Sequence, residues 1–182
     1  MRKLTAKEIE RLQANRCTAD DWNNIEVAEG FDPAYVCEVA FSGTIRLGRF
    51  DKTFTLAGGV PTHSGLYKAR LHNVVVGDDV CVRDIHNYIA NYRIGEGTYI
   101  ENTNVIVVDG ETTFGNGVRV PVMNEGGGRE IPIFDGLSAH LAYILALYRH
   151  NHAVIDHLQR RIDAYAEAQK STMGNIGRHV RI

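Results

Sequence analysis

The middle of the chain carries a large apolar or aromatic residue at every sixth position. Stepping by six from Val76 reaches Val82, Tyr88, Ile94, Ile100 and Ile106. An amphipathic helix would repeat its apolar positions about every 3.6 residues and a half-buried strand at every second residue, and neither period persists here. The six-residue period predicts short strands, each with one inward apolar side chain, joined by tight corners.

Four seven-residue segments share a second pattern, in which a large apolar residue is followed by glycine, two turn-type residues and a β-forming residue. The segments begin at Val76, Ile94, Phe114 and Ile176. Three strands and three corners would close one coil of 18 residues, the separation of Val76 and Ile94. Equivalent residues would then stack at the sheet spacing of about 4.8 Å. Gly, Asn and Asp are expected at the corners because they tolerate positive φ.

These repeats resemble those of hexapeptide-repeat proteins, over residues 41–134 and again over 174–182. The resemblance implies a mainly β fold, a left-handed parallel β-helix, which winds against the usual right-handed crossover preference. Leu4–Glu10 and Leu137–Arg149 also resemble segments of an uncharacterised hexapeptide-repeat family of Bacteroidales, whose members are considerably longer.

Four parts of the chain are predicted. They are an N-terminal helix and cap (1–40), β-helix coils (41–134), an inserted α-helical hairpin (135–173) and the start of a further coil (174–182). Thr5 and Glu8 have the spacing of a capping box at the first helix. A cap is expected because an open β-helix end exposes unpaired strand edges. Since the sequence stops within a coil, we expect these 182 residues to be the N-terminal part of a longer protein.

Composition and charge exclude several classes of protein. With 20 Lys+Arg against 22 Asp+Glu, the chain lacks the concentrated positive charge of nucleic-acid-binding proteins. It has neither a membrane-spanning apolar stretch nor the apolar core of a signal peptide. Its three cysteines are widely spaced, without a Cys-x-x-Cys motif, and no His, Asp or Glu spacing indicates a metal site. We therefore expect a cytoplasmic protein that binds neither membranes nor nucleic acid.

The resemblance to hexapeptide-repeat proteins also implies a function, because enzymes of this kind are mostly acyltransferases. It implies acyl-CoA as co-substrate, a sugar or sugar nucleotide as acceptor, and a histidine on a coil as general base. It further implies a homotrimer with clefts between subunits. No residue pattern in this sequence identifies a cofactor-binding site.

The candidate bases are His86 and His72, which fall on predicted coils. Asp84 lies two residues before His86, so on a strand the two side chains would point to the same side and the carboxylate could orient the imidazole. The alternative is a solvent-facing histidine on a surface strand. His63 precedes Ser64, but a nucleophilic serine pair also needs an orienting acid that the sequence does not reveal.

Two sets of polar residues each have two interpretations, and the predicted function has one alternative. Stacked asparagines can either satisfy one another in amide ladders or bind sugar hydroxyls, and the candidates are Asn87, Asn91, Asn102 and Asn104. Gly126–Arg129 offers backbone N–H groups and a guanidinium for phosphate, but lacks the Lys-Ser/Thr of a P-loop and is better explained as a loop. The alternative to a transferase is a non-catalytic β-helical scaffold or oligomerisation segment.

Overall fold

The computed structural model describes residues 1–121 and 130–182 and shows a mixed α/β protein with one large, mostly parallel sheet. The strands are β1 (Arg2–Lys3), β2 (Thr18–Ala19), β3 (Ile25–Val27), β4 (Val36–Leu47), β5 (Thr53–Thr55), β6 (Pro61–His63), β7 (Gly65–Val76), β8 (Cys81–Arg83), β9 (Tyr88–Ile94), β10 (Tyr99–Glu101), β11 (Val105–Val107), β12 (Arg119–Pro121), β13 (Glu130–Pro132) and β14 (Gly174–Ile176). The helices are α1 (Ala6–Ala14), α2 (Ala139–Leu147) and α3 (His152–Ala168).

The chain forms two compact units. The first comprises Met1–Asp109 with Met173–Ile182, and the second comprises Gly110–Thr172. The large sheet lies in the first unit. Within the described ranges, no helix is both long and apolar enough to span a membrane.

The sheet of the first unit is built by parallel pairing of strands that follow one another along the chain. Strand β7 pairs with β4, β8 and β9, while β10 pairs with β8 and β11 pairs with β9. In the central pairs the register offset is 18 residues: Val76 faces Ile94, and Cys81 faces Tyr99. The period read from the sequence therefore corresponds to the pairing distance.

Aliphatic residues stack inside the first unit. Leu47 faces Val76, Val76 faces Ile94, and Ile94 faces Ile176 of β14. Leu47 and Val76 are completely buried, as is Leu12 of α1. Burial of this kind is worth about 1.5–3 kcal/mol for each large aliphatic side chain, so these columns are a major source of stability.

Three of the four segments that share the glycine pattern stack in this way, and the segment at Phe114 does not. The segments at Val76, Ile94 and Ile176 occupy successive register positions, and Tyr99 also bridges Arg181 in parallel. Phe114 lies in the second unit, where β12 pairs antiparallel with β13. The third repeat is thus a coincidence of composition, and its glycines serve an irregular turn with positive φ at Phe114, Gly115 and Gly117.

The glycine of the repeat has a different role from the one expected. Gly95 does not have positive φ, but a Cβ on it would lie 2.6 Å from the carbonyl carbon of Gly177 in the adjacent turn. Positive φ occurs instead two residues later, at Asp79, Gly97 and His179. Close backbone approach and left-handed conformation are therefore required at separate positions of each turn.

Helix α1 begins as predicted. Thr5 is its N-cap, the Thr5 side chain accepts a hydrogen bond from the Glu8 amide, and Glu8 accepts one from the Thr5 amide. This reciprocal capping box satisfies donors that the first helical turn leaves without partners.

The second unit contains two helices, α2 and α3, and a small core of its own. Helices α2 and α3 begin after the N-caps Ser138 and Asn151. The core centres on Ile131 of β13, Leu145 of α2 and Ile162 of α3. Leu145 is the one residue of α2 that is buried.

Candidate functional site

A cavity of about 900 Å³ opens on the first unit where the chain turns between β8 and β9. Its lining combines apolar side chains with two carboxylates, a guanidinium, a tyrosine, a histidine and an amide. The lining residues are Leu56, Ala57, Val60, Asp84, His86, Tyr99, Glu101, Asn102, Arg181 and Ile182. The volume is within the usual range for pockets that bind small molecules.

One wall of the cavity comes from a short antiparallel hairpin, β5 and β6, which the sequence did not reveal. Phe54 fixes this hairpin by packing edge-to-face on Tyr99, with ring centroids 5.4 Å apart. The hairpin turn places Leu56 and Val60 at the cavity, and Val60 is 54% exposed. An exposed apolar wall of this type can pack against the carbon skeleton of a ligand.

His86 is exposed at the cavity and held by a single side-chain hydrogen bond. Its Nε2 lies 2.7 Å from Oδ1 of Asn102, and its backbone amide donates to the Thr103 carbonyl. An amide oxygen only accepts hydrogen bonds, so Nε2 carries the ring proton and Nδ1 keeps its lone pair. Among the residues that the structure describes, Nδ1 has no hydrogen-bond partner, which leaves it available to accept a proton.

Asp84 lines the same cavity but is not the residue that orients His86. It occupies a corner, with φ of 51°, so the strand alternation on which the expectation rested does not apply. Its carboxylate lies 3.4 Å from Nε of Arg83 and 3.8 Å from Nζ of Lys68. The orienting role belongs to Asn102, the residue stacked on Asp84 one register position away.

Glu101 adds a second carboxylate to the cavity. The Tyr99 hydroxyl donates to its Oε2 at 2.8 Å, and Nε of Arg83 lies 3.6 Å from its Oε1. Burial, together with the bond to this carboxylate, raises the pKa of Tyr99 to about 12. Tyr99 therefore stays protonated at neutral pH and acts as a donor, not as a base.

His72 lies away from this cavity, and its hydrogen bonds argue against a role as base. Oδ1 of Asn73 accepts from the Thr44 amide at 3.0 Å, which turns Nδ2 of Asn73 towards Nε2 of His72 at 2.9 Å. The ring proton is therefore on Nδ1, which donates to the Ser42 hydroxyl at 2.8 Å. A ring nitrogen that donates to a hydroxyl cannot remove its proton.

The remaining histidine candidate is also engaged. Nδ1 of His63 contacts the backbone oxygen of Ser64 at 2.8 Å, and its ring stacks on Tyr35 at 3.8 Å. Ser64 is fully buried and its hydroxyl accepts from the Lys52 amide, so no Ser–His nucleophile forms.

The asparagines divide between two roles. Asn87 donates to Asn104, and Asn73 donates to Asn91 at 3.2 Å, so these pairs satisfy each other as an amide ladder would. Asn102 is the exception, since it faces His86. Gly126–Arg129, the other polar candidate, lies outside the described residues.

The described residues give little support for thiol chemistry or for a metal site. Burial raises the pKa of Cys17 to about 11 and that of Cys81 to about 12, so neither forms a thiolate at neutral pH. In residues 1–121 and 130–182, no three His, Cys, Asp or Glu side chains cluster as ligands for a metal ion.

The sequence did not reveal Glu101, and it singled out Asn102 only as one of the stacked asparagines and not as a partner of His86, because both roles depend on stacking. Both follow from the 18-residue period, which places Asn102 beside Asp84 and Glu101 beside Arg83. Applying that period to the polar positions, as well as to the apolar ones, would have found them.

Comparison with known proteins places the chain in a family. It belongs to the family described as Domain of unknown function (DUF4954), whose model matches residues 1–182. An uncharacterized protein of Treponema pallidum (strain Nichols) is 23% identical over 188 residues, which cover 96% of this chain and 26% of that relative. The chain thus spans about a quarter of the relative's length. No solved structure gives a significant match.

Proposed function

We propose that this member of the DUF4954 family is a transferase-like protein on a left-handed parallel β-helix, with His86 as general base. The reaction proposed is transfer of an acyl group from a thioester to a sugar or sugar nucleotide. The observation that carries the proposal is His86 at the cavity, with Nε2 held by Asn102 and Nδ1 available.

The β-helical part of the proposal is supported by the corners as well as by the register. Ten of the described residues with positive φ fall into three stacked columns, as expected for a coil with three corners. The columns are Glu38, Lys68, Asp84 and Asn102; Gly43, Asn73 and Asn91; and Asp79, Gly97 and His179. The left-handed winding is taken from the resemblance to hexapeptide-repeat proteins.

The proposed reaction is general-base catalysis of acyl transfer. The acceptor hydroxyl or amino group attacks the thioester carbonyl carbon, and the new C–O or C–N bond forms as the C–S bond breaks. The acceptor's proton passes to Nδ1 of His86, and the imidazolium returns that proton to the departing thiolate. The products are an ester or amide and a free thiol.

The cavity's polar groups suit such an acceptor. Carboxylates at Asp84 and Glu101 can accept hydrogen bonds from hydroxyl or amino groups, and Leu56 and Val60 can contact a sugar ring. The hydrogen bond that Nε2 of His86 donates to Oδ1 of Asn102 sets the His86 tautomer, so the nitrogen that receives the proton is set before the acceptor arrives.

The test is acyl transfer by the purified chain with acetyl-CoA as donor and a panel of amino sugars and sugar nucleotides as acceptors. Thermal-shift measurement selects the pairs that bind, since a ligand at 100 times its dissociation constant stabilises by about 2.7 kcal/mol. For a pair that turns over, His86→Ala is expected to lower the rate by about 10²- to 10⁴-fold, the usual contribution of a general base.

His72→Ala is the matched control, because His72 is exposed on the same sheet but has both ring nitrogens bonded. It is expected to keep the wild-type rate. Equal rates for wild type and His86→Ala would remove His86 from the mechanism.

The alternative function is a β-helical scaffold, which the asparagine pairs favour. Asn87 with Asn104, and Asn73 with Asn91, use their amides to bridge neighbouring strands and not to contact a ligand. A chain that shows no thermal shift with any donor or acceptor, and no thiol release, supports the scaffold.

A further inference from the structure

A second groove, of about 420 Å³, also borders the corner at His86. His86 therefore lines both this groove and the larger cavity. The groove is lined by three cations, Arg16, Lys68 and Arg70, and by one carboxylate, Glu38. Its excess of positive charge contrasts with the larger cavity, where two carboxylates, Asp84 and Glu101, stand against one guanidinium, Arg181.

The three cations differ in how far they are neutralised. Arg16 lies 3.2 Å from Glu38, and Lys68 lies 3.8 Å from Asp84. Arg70 is exposed and makes no ion pair with the residues that the structure describes. Its guanidinium is the one best able to form bidentate hydrogen bonds with an anion.

The floor of the groove leaves space beside these cations. Arg70 of β7 faces Ala40 of β4, and Ala40 faces Thr18 of β2, so small side chains occupy the neighbouring positions. Ala69, next to Arg70 in the chain, also lines the groove. An anionic group can therefore approach the guanidinium without displacing a large side chain.

We propose that this groove binds the pyrophosphate-bearing part of the donor, while the larger cavity holds the acceptor. The inference rests on the proposed transferase function and assigns each substrate to one side of His86. The charges favour this assignment, because Arg70 attracts a pyrophosphate, whereas the larger cavity, with Asp84 and Glu101 against Arg181, suits the cationic amino group of an amino-sugar acceptor. His86 stands where the two compartments meet, as a group that takes a proton from the acceptor must.

The test measures binding of inorganic pyrophosphate to the full chain by isothermal titration calorimetry at low ionic strength. Arg70→Gln is expected to weaken binding by at least about tenfold, because a charge-assisted hydrogen bond is lost. Arg93→Gln is the matched control: Arg93 is exposed on β9 of the same sheet and lines neither compartment. Equal affinity in wild type and Arg70→Gln, or no binding to wild type, would overturn the assignment.

Competition experiments then identify the source of the pyrophosphate. Displacement of bound pyrophosphate by acetyl-CoA supports an acyl-CoA donor in this groove, whereas displacement by UDP-glucose and not by acetyl-CoA would contradict it, since a sugar nucleotide is an acceptor in the proposed reaction. Displacement by neither would contradict a donor site.

These results are separable from those on the reaction. Arg70-dependent binding together with an unaffected rate in His86→Ala would keep the groove and reject the base. A His86-dependent rate without pyrophosphate binding would do the opposite.

Discussion

At the residue scale, the glycine that follows the apolar residue of each repeat marks a place where neighbouring backbone segments come very close together. A Cβ on Gly95 would meet the carbonyl carbon and oxygen of Gly177, both at 2.6 Å, and backbone atoms cannot move aside as a side-chain tip can. Gly177 itself has only Val180 Cγ2 near its Cβ position, at 3.8 Å. Two glycines at the same position of the repeat therefore differ in what a methyl group would cost.

Gly95→Ala is expected to destabilise the protein by about 1–3 kcal/mol, the usual cost of overpacking. For a chain of this size this lowers the melting temperature by about 2–4 °C for each kcal/mol. Gly177→Ala is the control, with ordinary van der Waals space and an expected change near zero. The measurement is thermal unfolding followed by circular dichroism, and equal melting temperatures for the two variants would contradict the close-approach argument.

Residue-scale chemistry was only partly predictable. His86 could be singled out because it is a histidine on a predicted coil, whereas its partner Asn102 lies 16 residues further along. Asp84 was predicted to orient His86 because residues two apart on a strand point to the same side. That rule does not apply to Asp84, which lies at a corner with positive φ. Partners on neighbouring parallel strands follow from the 18-residue register offset, and partners within a strand follow from alternation, so the two rules apply to different pairs.

At the element scale, helix α1 has a support that its capping box alone does not explain. Nη2 of Arg2 donates to Oε1 of Glu8 at 2.6 Å, while Glu8 also accepts from Thr5. The bond from Arg2, with those from Thr5, lowers the pKa of Glu8 to about 2. The helix is thereby tied to β1, the strand that precedes it.

The lowered pKa predicts how this stabilisation depends on pH. Because the carboxyl titrates near 2 when folded and near its ordinary 4.5 when unfolded, the ionised form stabilises the fold above pH 4.5. That contribution, about 3 kcal/mol at 1.36 kcal/mol for each unit of pKa, is lost as the pH falls from 4.5 towards 2. Glu8→Gln removes the charge but can keep the cap, so its deficit in unfolding free energy should be present at pH 7 and shrink below pH 4.5.

Urea denaturation at pH 7 and at pH 3 measures this difference. Glu10→Gln, on the exposed side of the same helix, is the control and should match wild type at both values. A Glu8→Gln deficit that does not change with pH would show that the ion pair with Arg2 is not its source.

Elements were predictable from sequence where one repeat explains both the local turn and the stacking. The segments at Val76, Ile94 and Ile176 satisfy both, and they pair in register. The segment at Phe114 satisfied only the local pattern, and its separation of 20 residues from Ile94 already departed from the coil period. The β5–β6 hairpin has no repeat, so nothing in the periodicity predicted it.

At the scale of the whole molecule, the chain leaves the sheet at Asp109 and returns to it at Met173. Ile176 then takes the register position beside Ile94, so the intervening residues interrupt the stack without changing its order. The expected homotrimer stays a prediction from the resemblance. Each compact unit has its own core, and the core of the first unit contains many more buried side chains than that of the second. This difference affects how readily each unit unfolds locally.

We expect the two units to open separately in native-state hydrogen exchange. Leu145→Ala should cost the second unit about 2–5 kcal/mol, because its core has few buried side chains to close the cavity. Amide exchange in α2 and α3 should then accelerate by about 30-fold or more, while exchange in β7 and β9 stays unchanged. Ile89→Ala in the first unit is the reciprocal variant and should accelerate exchange in β7 and β9 alone. Peptide-resolved mass spectrometry gives both readings, and equal acceleration of all four elements by Leu145→Ala would mean that the two units unfold as one.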